Sequence, residues 1–70
     1  MEAEEWGRRI RAFRKLKGYT QAELANSLGV SLSILGEIER GNRIPSEKIV
    51  QSVSETLGIS VDELIKFNNN

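Results

Sequence analysis

The stretch QAELANSLGVSLSILGEIER, residues 21–40, decides how the rest of the chain is read. Leu24 and Leu28 stand four residues apart and Leu35 and Ile38 three, the period of a helix rather than of a strand. Gly29 divides the run where the chain must turn sharply, and Ala25 is small where two helices must approach. Thr20 with Glu23 forms a capping-box pattern before the first apolar pair, and Ser31 caps the second segment. The stretch therefore predicts two short helices, about 20–28 and 31–40, joined by a tight turn. With Leu35 and Ile38 turned inward, Ser33, Gly36, Glu37 and Arg40 are expected to face away from the core.

Outward from this pair the same periodicity continues. A helix over about 4–17 places Trp6, Ile10 and Phe13 on one stripe with Leu16 beside it, and Arg8, Arg11 and Lys15 on the opposite face. Gly18 ends it. After Gly41, the link Asn42-Arg43-Ile44-Pro45 leads to a helix over 46–57, capped by Ser46 and burying Ile49, Val50, Val53 and Leu57. Ser60 and Glu63 form a second capping box for a last helix over 60–67, which returns Leu64 and Ile65 to the core. Phe67 either completes that core or is exposed, and Asn68-Asn69-Asn70 reads as a polar tail. No stretch alternates long enough for a strand, so the expected fold class is all-α: five helices in a single domain, 1–70.

Seventy residues suffice for one core and not for two. The chain has no cysteine, so apolar packing must stabilise it without disulfides, and no histidine, the usual neutral-pH base and commonest metal ligand. Its carboxylates are scattered over helix faces with no phosphate loop and no ligand cluster, so no enzymatic activity, metal or cofactor is expected. No apolar run approaches the roughly 20 residues that span a bilayer, and the start is acidic rather than signal-like; a cytoplasmic location without membrane contact is expected. Formal charge is zero, yet Arg8, Arg9, Arg11, Arg14, Lys15 and Lys17 crowd the first segment. A basic stripe suits a polyanion, whereas a balanced total weakens non-specific attraction to nucleic acid. The stripe of Arg8, Arg11 and Lys15 reads first as a solvated helix face, and its functional version is electrostatic steering toward DNA.

The motif and its flanks resemble the Cro and lambda-repressor family of helix-turn-helix proteins, also called the xenobiotic response element family. Gly7, Ile10 and Arg14, Thr20-Gln21, Leu24-Ala25, Gly29-Val30-Ser31, Ile38-Glu39-Arg40-Gly41, Pro45-Ser46 and Leu57-Gly58 carry the likeness across roughly residues 6 to 67. The resemblance implies a five-helix lambda-repressor-like domain that binds double-stranded DNA as a transcriptional regulator, in the sense of a repressor, with the helix over 31–40 in the major groove. It implies base-reading slots at Leu32, Ser33 and Glu37. Gln21 would touch phosphate or orient a base-reading side chain. Gly36, Arg40, Asn42 and Arg43 would lie near the sugar-phosphate chain, and Ser31 falls in the same interface. It further implies an ion pair between Arg14 and Glu39, and a homodimer that spans two successive major grooves, for which Val61, Ile65 and Phe67 are candidate contacts.

The sequence departs from the family at the reading slots, where glutamine, arginine, lysine or threonine are frequent and Leu32, Ile34 and Glu37 stand instead. Leu32 can pack on a thymine methyl and Glu37 can accept from cytosine N4. Leu32 and Ile34 can also be half-buried flanks of the core. The alternative function is a protein-interaction module that keeps the fold without binding DNA and presents Leu32, Ile34 and Ile44 to a partner. Gly36 costs a helix interior about 1 kcal/mol relative to alanine, which calls for a compensation such as close approach to the DNA backbone, or for simple tolerance.

Overall fold

A computed structural model describes residues 1–66; Phe67 and the tail 68–70, with the expectations attached to them, lie outside the described residues. Five helices follow one another: α1 (Ala3–Leu16), α2 (Gln21–Leu28), α3 (Leu32–Glu39), α4 (Glu47–Leu57) and α5 (Val61–Lys66). Each of the last four starts at a hydroxyl side chain that satisfies an amide the helix leaves unpaired. Thr20 Oγ1 accepts from the Glu23 amide at 3.1 Å while the Glu23 carboxylate accepts from the Thr20 amide at 2.8 Å. Ser31 accepts from the Ile34 amide at 3.1 Å and Ser46 from that of Ile49 at 3.2 Å. Ser60 and Glu63 repeat the reciprocal box. Caps of this kind contribute about 1 kcal/mol each, which matters for helices as short as α2 and α3.

Between α2 and α3 the chain turns at Gly29, whose φ of 71° places it in the left-handed region that favours glycine. The Val30 amide donates back to the Ala25 carbonyl at 3.1 Å, closing α2 while redirecting the chain into α3. α1 packs on α3, α4 and α5, and α2 packs on α3 and α4. Ile10, Phe13, Leu24, Ala25, Leu35, Ile38, Val50, Val53, Leu57, Ile59 and Leu64 form the shared core.

Several expectations need correction. Leu16 is 74% exposed. It lies six residues past Ile10, about 120° away around the helix, so the buried stripe of α1 runs through Gly7 and Arg14 instead. Ile65 is 42% exposed, because α5 rests on the core through Leu64 and the next residue is turned about 100° from it. Gly36, expected on the outer face, is buried, and Ile49 is half-buried. Ile59 joins the core from the α4–α5 link, where its carbonyl accepts from the Ser54 hydroxyl. Tyr19, half-buried between α1 and α2, donates from its hydroxyl to the Thr56 carbonyl at 3.4 Å.

Gly7 sets how closely α1 approaches α3. A Cβ there would lie 2.5 Å from the Ile38 carbonyl oxygen and 2.7 Å from that of Glu39, both backbone atoms at the end of α3. No rotamer change relieves such a clash, so any side chain must push the helices apart. Gly7→Ala is expected to destabilise the domain by about 1–3 kcal/mol, seen as a lower melting temperature in circular dichroism; an unchanged or higher melting temperature would show that the α1–α3 contact is loose.

Candidate nucleic-acid interface

The outer face of α3 is positioned from behind by a buried ion pair. Arg14 Nε donates to Glu39 Oε2 at 2.7 Å and Nη2 to Oε1 at 3.0 Å, a bidentate pair between α1 and α3. Its side chains are 10% and 3% exposed, so neither charge has water to fall back on. The third guanidinium nitrogen, Nη1, donates to the Tyr19 carbonyl at 2.9 Å. Gln21 Nε2, in the first turn of α2, donates to Glu39 Oε1 at 3.1 Å. One carboxylate thereby ties together the three helices whose relative placement defines the candidate interface. Among the described residues no buried side-chain nitrogen or oxygen lacks a partner.

Leu35 and Ile38 are fully buried on the inner side of α3. Ser31, Leu32, Ser33 and Arg40 are exposed, as are Asn42 and Arg43 in the loop that follows, and Glu37 is half-exposed. Leu32 is 51% exposed although it is apolar. Of the three residues expected to form an apolar patch, Leu32 and Ile44 are exposed, whereas Ile34 is half-buried and packs against the core.

Three of these side chains, Glu37, Arg43 and Arg40, are placed in ways their spacing does not reveal. Glu37 Oε1 accepts from Arg43 Nε at 2.7 Å, an ion pair folded back across the end of α3. The loop is held there by the Asn42 amide, which donates to the Glu37 carbonyl at 2.8 Å. Opposite charges six residues apart do not meet on a helix, and only the turn after Arg40 brings them together. Gly36 lies beneath the Arg40 guanidinium, where a Cβ would meet Nη1 at 2.9 Å. The atom it meets is the free end of a flexible side chain, so the fold does not demand glycine at this place.

Arg8, Arg11 and Lys15 of α1 are exposed and form no ion pair among the described residues. Among the described residues no three His, Cys, Asp or Glu side chains converge as a metal site requires, and no helix is long and apolar enough to cross a membrane.

A helix-turn-helix family model matches residues 10–64, spanning α1 to α5. The uncharacterized HTH-type transcriptional regulator YazB of Bacillus subtilis is 70% identical over 64 residues, covering 91% of this chain and 93% of that protein. SinR, an HTH-type transcriptional regulator of the same organism, is 43% identical over 60 residues, covering 84% of this chain and 54% of SinR. The chain thus spans nearly all of the first and about half of the second. A crystal structure of SinR, the master regulator for biofilm formation, in complex with DNA superposes with a TM-score of 0.80 at 42% identity, covering 87% of this chain and 98% of that one.

Removal of one partner of the buried pair leaves the other charged and stranded. Arg14→Ala is expected to cost about 3–5 kcal/mol in stability, read by chemical denaturation. Unchanged stability with a selective loss of duplex affinity would instead make Arg14 a phosphate contact. Gly36→Ala is expected to raise stability by about 0.5–1 kcal/mol in the same measurement, since helix propensity improves and only the Arg40 terminus must move; a loss would mean that the site is tightly packed.

Proposed function

The chain belongs to the helix-turn-helix family of Cro- and lambda-repressor-like transcriptional regulators, and from that premise we propose that it represses transcription by binding an operator in duplex DNA. The observation that carries this is the asymmetry of α3. One side is sealed into the core by Leu35, Ile38 and the Glu39 ion pair, while Leu32, Ser33, Arg40 and Arg43 stand exposed around the other. An α-helix fits the major groove, and one held so firmly from behind presents its outer side chains in a fixed register.

In this arrangement Leu32 and Ser33, at the N-terminal end of α3, face base edges. Gln21 and Ser31 lie at the α2 and α3 N-termini, where unpaired amides favour a phosphate. Asn42, Arg40 and Arg43 approach the backbone at the other end, with Gly36 beneath Arg40 allowing that guanidinium to lie flat against the helix. Glu37 meets the DNA with its charge balanced by Arg43, which removes the repulsion that an isolated carboxylate would face. The alternative of a DNA-independent interaction module loses ground because Ile34 is half-buried against the core.

A single module of this size makes few contacts, and a homodimer places two copies of α3 about 34 Å apart, one helical turn of the duplex. The groove lined by Trp6, Pro45, Val50, Val61 and Ile65, with Glu47 and Gln51 at its polar side, offers a partly apolar face for the second copy. Such a regulator acts in the cytoplasm, where the bacterial chromosome lies, and its function calls for no catalysis.

Affinity for duplex DNA should fall steeply with added salt as counterions return to the phosphates, and Arg43→Ala should flatten the log K against log salt slope by about 0.9. Fluorescence anisotropy of a labelled duplex measures both. Salt-independent binding, or none at low salt, would refute the DNA-binding role, and sedimentation showing only monomer on the operator would remove the dimer.

A further inference from the structure

Part of the polar equipment of the α3 face is engaged within the protein. The Gln21 amide nitrogen is bonded to Glu39 and the Glu37 carboxylate to Arg43, while exposed Arg40 lies over Gly36. Ile34 is half-buried against the core. Leu32 and Ser33 are the first residues after the α3 cap, and both are exposed. A serine hydroxyl both donates and accepts, so Ser33 distinguishes bases weakly. Leu32 is different: it leaves about half of an isobutyl surface in water at the leading end of the helix.

On the major-groove edges of the four base pairs, the apolar feature is the C5-methyl group of thymine. From the exposure of Leu32 at the leading end of α3 and the pairing of Glu37 with Arg43, we propose that Leu32 selects thymine at its step of the operator by packing on that methyl, and that Glu37 is a positioning residue for Arg43 rather than a reader of cytosine. The inference rests on the DNA-binding function proposed above and specifies its selectivity. Leu32 is about half exposed and stands outside the core cluster, and the cap is made by Ser31, so its truncation opens no core cavity and breaks no cap.

The test begins with the tightest-binding duplex recovered by the full chain from a random pool. That duplex is rebuilt with deoxyuridine in place of each thymidine in turn, a change that deletes one methyl group and keeps every hydrogen-bonding group. One thymine in each half-site should be sensitive, with affinity falling about fourfold on loss of its methyl. Leu32→Ala, with an unchanged melting temperature, should bind the thymine and uracil duplexes equally, and Glu37→Ala, which introduces no new base-reading group, should weaken binding without losing a preferred cytosine. Indifference of the parent protein to every uracil, retention of the thymine preference by Leu32→Ala, or loss of a preferred cytosine in Glu37→Ala each overturns the inference while duplex binding itself persists. Failure of any duplex to be enriched overturns the DNA-binding function first, and this selectivity with it.

Discussion

The bidentate contact between Arg14 and Glu39 is the constraint on which the remaining geometry depends. It joins α1 to the C-terminal end of α3 in a place closed to water, and it recruits Gln21 at the start of α2 onto the same carboxylate. Buried ion pairs add little net stability relative to apolar packing, because desolvation consumes most of their attraction. Their effect is on choice of arrangement: with every guanidinium nitrogen and both carboxylate oxygens engaged, a slipped helix would strand a charge. Gly7 reinforces the same register sterically, since it admits the Ile38 and Glu39 carbonyls against the α1 backbone. Close approach and charge pairing thus meet at one end of α3.

With its inner side fixed, α3 is free to carry unusual residues outside. The exposed leucine, the half-exposed glutamate paired with an arginine and a glycine covered by a guanidinium are all tolerated because none of them holds the fold together. The charge distribution has the same logic. A formal balance of zero conceals a basic α1 surface and a carboxylate at Glu37 that Arg43 offsets locally, so the surface offered to a polyanion is less acidic than the total suggests.

Helix positions were legible wherever a cap and an apolar repeat coincide. Thr20, Ser31, Ser46 and Ser60 each announce a helix that begins at the following residue, and Gly29 and Gly58 mark ends at left-handed turns. Burial was less legible at helix edges: Leu16 and Ile65 are apolar enough to read as core, but rotation about the helix axis carries them off the packed side. On the interface, burial of Leu35 and Ile38 leaves Ser33 and Arg40 outward by periodicity alone. The Glu37–Arg43 pair was not legible, since it depends on the path of the turn after α3 rather than on a helical interval. The same holds for the link from Gln21 to Glu39 and for the covering of Gly36, which join residues through tertiary placement or side-chain rotamer.

The central claim is that a two-helix face, braced through Glu39, meets the duplex as a unit. Its most direct test is a titration of the isotopically labelled protein with duplex DNA, followed through backbone amide resonances. Shifts are expected to concentrate at Gln21, Ser33, Glu37 and Arg40, with the core amides of Ile10 and Val53 undisturbed. Stationary resonances at those four positions, while another surface moves or nothing does, would contradict it.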